Sequence, residues 1–142
     1  MDSEIYDRIK KIKGTEWTEE FAKNVYYDVA KHRYFITNLG KCTQVDAREL
    51  PDSVYEKYLD LLKQEIEVIN PKVIVLFGNQ VSSIVLGQKI SVSQCRKQLF
   101  KRKINAKEYN FYSVYYPVGN GRFNIDKSIE DIKYIMNNII RK

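Results

Sequence analysis

A chain of 142 residues, 44% apolar and 13% aromatic, is long enough to bury a core unaided and reads as one globular domain. Two cysteines, Cys42 and Cys95, exclude a disulfide framework and any centre needing four thiolates from this chain. The formal charge of +6 admits a polyanionic partner without requiring one, and no apolar run approaches membrane-spanning length.

The acidic start lacks the basic and apolar regions of a signal peptide, so the expected location is cytoplasmic, with no membrane partner. Ser3 can cap a helix running to about Lys13, with Ile5, Ile9 and Ile12 on one stripe and Gly14 as its stop. A second helix follows Thr15 or Thr18, because Trp17, Phe21, Val25 and Val29 recur every four residues. Tyr34-Phe35-Ile36-Thr37 is a strand candidate, closed by Asn38-Leu39-Gly40. The loop over 41–52 is polar and aperiodic. Ser53 then caps an amphipathic helix to about Ile69, with Val54, Tyr58, Leu61, Leu62, Ile66 and Ile69 inward.

The run Val73-Ile74-Val75-Leu76-Phe77 is unbroken and β-branched, with Pro71 before it and Gly78 after it. It reads as a strand covered on both faces, as in parallel sheets. Val81, Ile84, Val85 and Leu86 resume at helical spacing until Gly87. Strand, glycine and helix place backbone N–H groups and a positive dipole end at the strand's carboxyl edge, where anions bind. The plainer alternative is that Gly78 only makes a tight turn. Residues 99–104 pair with 110–116 as a hairpin across Asn105-Ala106-Lys107-Glu108, and a glycine-bearing loop covers 117–122. Asn124 caps the last helix, in which Ile125, Ile129, Ile132, Ile135 or Met136, and Ile139 form a stripe. Strands alternating with helices predict an α/β three-layer sandwich with a short, mainly parallel central sheet flanked by helices.

Three loops then leave one edge of that sheet: 38–42, 78–80 and 116–122. Residues at the carboxyl ends of parallel strands converge on a crevice. There the Asn38 amide can read a base edge, since it donates and accepts side by side. Arg122 and Arg96 suit phosphate contacts. The structural alternatives are that Asn38 caps a turn, that the basic run 96–103 is a solvated hairpin face, and that the tyrosines of 109–116 are core with polar tips. His32, the sole histidine, falls at the other end of its strand and reads as structural or solvated.

Ile36-Thr37-Asn38-Leu39-Gly40-Lys41-Cys42 resembles the Ile-Thr-Asn-x-x-Lys-Cys motif of the uracil-DNA glycosylase superfamily, in its mostly prokaryotic iron–sulfur branch. Asn70-Pro71-Lys72 before the apolar strand, Phe77-Gly78 after it, Leu86-Gly87, Ile90-Ser91, and Tyr115-Tyr116-Pro117 with trailing Arg122 follow in the family's order, over residues 34–135. The resemblance implies that Asn38 bonds the edge of a flipped uracil. It also implies that the 116–122 loop, with Pro117, enters the minor groove, and that Gly78 and Asn79 offer N–H groups to a phosphate. The partner it implies is DNA, uracil-containing or single-stranded.

The departures are specific. The family's first strand and its Gly-Glu-Ala-Pro-Gly-like catalytic loop have no counterpart, since 1–33 reads as helices replacing them within a single domain over 1–142. Tyr116 stands where the family has the histidine that stabilises the departing base, and tyrosine can donate one hydrogen bond there. Of four cluster cysteines only Cys42 matches, so no iron–sulfur cluster and no other cofactor or metal is expected. Asp46, near Asn38 in sequence, is the guess for a water-activating group. The expected function is base recognition in DNA repair with weak or absent N-glycosidic hydrolysis. The alternative is a non-catalytic interaction module on the same scaffold. A short sheet leaves edges to be covered, so a homodimer is possible.

Overall fold

The computed structural model describes residues 3–11, 17–42 and 50–141. The chain divides into two compact units, Met1–Asn38 and Leu39–Lys142. Asp46 lies outside the described residues, as does the end expected for the first helix.

In the first unit, α1 spans Ser3–Lys11 and α2 spans Glu19–Lys31. Thr18 is the cap of α2: its backbone is extended, and its hydroxyl accepts from the Phe21 N–H at 3.1 Å. Glu19 and Glu20 then sit in the first turn, where the helix dipole favours carboxylates. Phe21 is buried beneath the Trp17 ring, 4.8 Å away, and the Arg8 guanidinium, 4.2 Å from its centroid. Arg33, at φ 63°, ends the helix. His32 is the C-cap residue, with Nδ1 2.8 Å from the Asp28 carbonyl oxygen. Residues 34–37 are not a strand, contrary to expectation, and Phe35 and Ile36 are exposed. Their composition suits a strand, but a strand exists only with a neighbour to ladder against, and composition does not specify one.

The second unit holds the sheet. β1 (Ile74–Phe77) pairs parallel with β3 (Lys107–Val114), and β3 pairs antiparallel with β2 (Phe100–Ile104), giving the order β1-β3-β2. The sheet is therefore mixed; without 34–37 the parallel part is a single pairing. The hairpin turn is tighter than expected: Asn105 takes the left-handed φ of 52°, so Lys107 and Glu108 already lie in the ladder.

Alternation divides the strands between two faces. Leu76, Phe100, Ile104, Tyr109 and Phe111 meet α3 (Asp52–Ile69) and α4 (Asn79–Leu86), with Leu62, Ile66 and Leu86 facing them. Val73, Val75, Tyr112 and Val114 meet α6 (Ile125–Ile140) through Ile132, Ile135 and Ile139. Helices thus cover both faces, and the α/β three-layer reading holds. Burying Phe111, 1% exposed, contributes about 2–3 kcal/mol.

Two stripes differ from their predicted positions. On α3 the buried line is Tyr55, Leu59, Leu62 and Ile66, while Leu61 and Ile69 are exposed. The helix also starts two residues early, with Pro51 at the cap in place of Ser53 and no side-chain cap bond. On α6, Ile125 and Ile129 are exposed and the inward positions include Ser128 and Asp131. Ser128 donates to the Tyr115 carbonyl at 2.6 Å, and Asp131 meets Arg96, which closes the short helix α5 (Val92–Cys95). Its Nε donates to Asp131 Oδ2 and its Nη2 to Asp131 Oδ1, both at 2.9 Å. Nη2 also donates to Glu130 Oε2 at 3.1 Å, and Lys97 bonds the other Glu130 oxygen. Among the described residues no helix is long and apolar enough to cross a membrane.

Candidate functional site

Gly78 follows β1 directly, with φ 88° and ψ 165°, a conformation open to glycine and strained for anything larger. Its N–H donates to the Val114 carbonyl at 2.8 Å, which extends the parallel ladder by one rung. That N–H is therefore spent, and Gly78 cannot offer it to a phosphate as expected. The Gly78 carbonyl accepts from Ser82 N–H at 3.2 Å, making Gly78 the residue that opens α4. Asn79 begins the helix, and its own N–H has no partner within it. Its side-chain oxygen accepts from Val92 N–H at 2.9 Å and pins the chain that returns from α4.

The two parallel strand ends meet closely. A Cβ added at Gly78 would stand 3.4 Å from Tyr116 Cβ. Tyr116 is 55% exposed. The chain then turns back through Pro117 into the 3-10 helix η1 (Gly119–Asn124). A Cβ at Gly121 would fall on the Tyr116 carbonyl oxygen, so position 121 admits only glycine in this loop. Arg122 follows, exposed, with its guanidinium 4.9 Å from the Phe123 ring centroid. Val118 and Phe123 are exposed as well, which gives the loop an apolar tip beside a cation.

The loop around Leu39 reaches the same edge. Leu39 is buried against α3, and a Cβ at Gly40 would lie 3.6 Å from Leu50 Cδ1. Gln80, in the first turn of α4, donates through Nε2 to the Leu50 carbonyl at 2.9 Å and to Asp52 Oδ1 at 2.8 Å. Leu50 thus joins residues 39–40 to the start of α4, and the Asp52 carboxylate is fixed there. Sequence reasoning missed both Gln80 and Asp52. A polar residue in the first turn after a strand-end glycine was the available signal for Gln80; nothing local marked Asp52. Asn38 is exposed and is the last residue of the first unit, one peptide bond before buried Leu39.

Arg96 is not at this edge's service. Two carboxylates hold its guanidinium, so that the Asp131 hydrogen bond pushes its pKa further above the usual arginine range. Lys97 and Arg96 in turn hold Glu130 below the ordinary carboxylate value. Two cations against two anions leave no net field for a phosphate. Arg96 is a clamp between α5 and α6.

The cysteines do not fit a four-thiolate cluster. Cys42 is exposed, and its hydrogen bond with the Tyr58 phenol pushes that hydroxyl upward; Cys95 is buried in the core, where desolvation raises its thiol. Among the described residues no group of three or more potential ligands could hold a metal ion.

An α/β domain whose helix start, tyrosine and basic loop gather at the carboxyl edge of a parallel strand pair is the class that fold and site define. The family model described as the uracil DNA glycosylase superfamily matches residues 6–136, and the chain belongs to that superfamily. The match begins well before residue 34, so it takes in all of α2 and α1 from residue 6 onward. No curated protein matches the chain.

Proposed function

We propose that this protein recognises a base in DNA, uracil above all, and hydrolyses its N-glycosidic bond slowly or not at all. The observation that carries the reading is the approach of Gly78 and Tyr116 at the carboxyl strand edge, in a chain of this superfamily. Asn38 would read the polar edge of an extruded base. The loop through Pro117, with Val118 and Phe123 at its tip, would wedge into the groove that the base leaves. Arg122 and the Asn79 N–H would contact backbone phosphates, and Arg96 would stay with its clamp.

Hydrolysis needs an oriented water and a group to stabilise the departing base anion. Tyr116 can donate to that anion, but a phenol more than half exposed works against bulk dielectric and contributes little. Asp52 is the carboxylate that Gln80 holds near the edge, and it too is exposed. Both groups support slow chemistry at best. The test is incubation of concentrated protein with uracil-containing single-stranded and duplex DNA, followed by cleavage at abasic sites. Slow release that Asn38→Ala abolishes, or specific binding without release that the same change abolishes, supports the reading. Uracil release untouched by Asn38→Ala refutes the assigned role.

The outer edge of β1 favours a second reading, an interaction module that self-associates. Among the described residues β1 ladders only with β3, and its Phe77 is 38% exposed, a combination that invites another strand. Light scattering on the purified protein that finds only monomer across a wide concentration range disposes of the homodimer.

A further inference from the structure

At the far end of α4, about 12 Å from Gly78 by the helical rise, a cavity of about 240 Å³ opens between α3, α4 and the β2–β3 hairpin. Apolar side chains make up the larger part of its walls, Leu59, Leu62, Ile66, Ile84, Ile104 and Phe111 among them. Gly87 lies on its rim at φ 67°, with nothing within 4 Å of where a Cβ would stand. Among the described residues no carboxylate lines it, whereas Lys63, Arg102 and Lys103 do.

Arg102 has an unusual set of partners. Its Nε donates to the Leu86 carbonyl at 3.0 Å, Nη1 to the Lys101 carbonyl at 2.8 Å, and Nη2 to Gln88 Oε1 at 2.7 Å. All three acceptors are uncharged. Arg96, by contrast, is matched by two carboxylates. Capping the carboxyl end of α4 accounts for the place of Arg102 and offsets part of its charge. The remaining N–H groups of the guanidinium stay available. A half-buried cation that no carboxylate among the described residues matches, beside a cavity with many apolar side chains in its walls, favours a ligand that brings an anion and an apolar body together.

We propose that this cavity binds a small carboxylate with an apolar tail, its tail between α3 and the hairpin and its head on Arg102 and Lys63. An apolar cavity of about 150 Å³ holds a benzene ring, so this one takes a medium-length aliphatic or a small aryl chain. Neither the ligand nor the place is shared with the strand-edge site, and the inference stands without the DNA reading.

The test is calorimetric titration of the intact protein with octanoate, 1-octanol and octylammonium. Octanoate is expected to bind about tenfold or more tightly than octanol, the scale of a charge-assisted hydrogen bond, with octylammonium weakest. Arg102→Gln would also remove a helix cap, so two other variants carry the test. Lys63→Gln, on the exposed side of α3, weakens octanoate about threefold. Leu59→Trp fills the cavity and abolishes binding while the fold persists by circular dichroism. Equal affinity for octanoate and octanol, unchanged binding by Leu59→Trp, or no octanoate binding at about 10 mM, which excludes a dissociation constant of about millimolar or tighter, each overturns the proposal.

Discussion

Asp131→Asn removes a charge and keeps the shape of a side chain that is fully buried and accepts two hydrogen bonds from Arg96. Breaking a buried ion pair from one side costs about 3–5 kcal/mol, because the partner stays behind unmatched. Arg96 retains 28% side-chain exposure and still has Glu130, so the lower end applies, about 3 kcal/mol. At about 2–4 °C per kcal/mol for a domain of this size, Tm falls by about 6–12 °C. Scanning calorimetry and urea denaturation read this directly. Arg96→Met combined with Asp131→Leu restores most of the loss, since replacing both partners leaves no orphan charge. A single variant within about 2 °C of the parent, or a double variant as unstable as the single, refutes the clamp. The same variants separate structure from binding. Arg96→Met leaves the salt dependence of DNA affinity unchanged, while Arg122→Gln lowers its slope by about one.

Gly78→Ala loses stability by about 1–3 kcal/mol in denaturant titration from backbone strain, because the space toward Tyr116 is sufficient and the φ of 88° is not; an unchanged midpoint contradicts the assigned conformation. Thiol labelling at mildly alkaline pH modifies Cys42 promptly and Cys95 only as the protein unfolds, and prompt reaction of both sulfurs contradicts the burial of Cys95. Glu130, lowered from 4.5 by Lys97 first and Arg96 next, binds its proton less readily folded than unfolded. Its stabilising effect is complete above the ordinary carboxylate range and is lost as pH falls through the lowered folded value. Glu130→Gln therefore flattens the Tm profile on the acid side, and a profile that stays parallel to the parent's below pH 4.5 contradicts the coupling.

The apolar run ending at Phe77 and the glycine after it made β1, Gly78 and α4 legible, because strand, left-hand-tolerant turn and amphipathic helix are all local signals. The tyrosine strand was legible for the same reason; of the tyrosines read as core, Tyr109 and Tyr112 are buried, on opposite faces of the sheet, while Tyr116 is exposed. What failed was non-local. Residues 34–37 have a strand's composition, but pairing depends on a neighbour elsewhere in the chain. Arg96 had the look of a phosphate ligand until α6 brought Asp131 beneath it, 35 residues later. Gln80, Leu50 and Asp52 form one cluster with sequence separations of about 30, beyond the reach of any periodicity. The bonds that tie residues 39–40 to the start of α4 through Leu50 had no local signal at all.

Affinity for otherwise identical oligonucleotides bearing uracil or cytosine at one position, measured at low and at physiological salt, bears most directly on the strand-edge assignment. The account predicts a preference for uracil of about tenfold that survives the rise in salt and disappears in Asn38→Ala. Equal affinities that fall together as salt increases would mean that only charge is being read, and would contradict it.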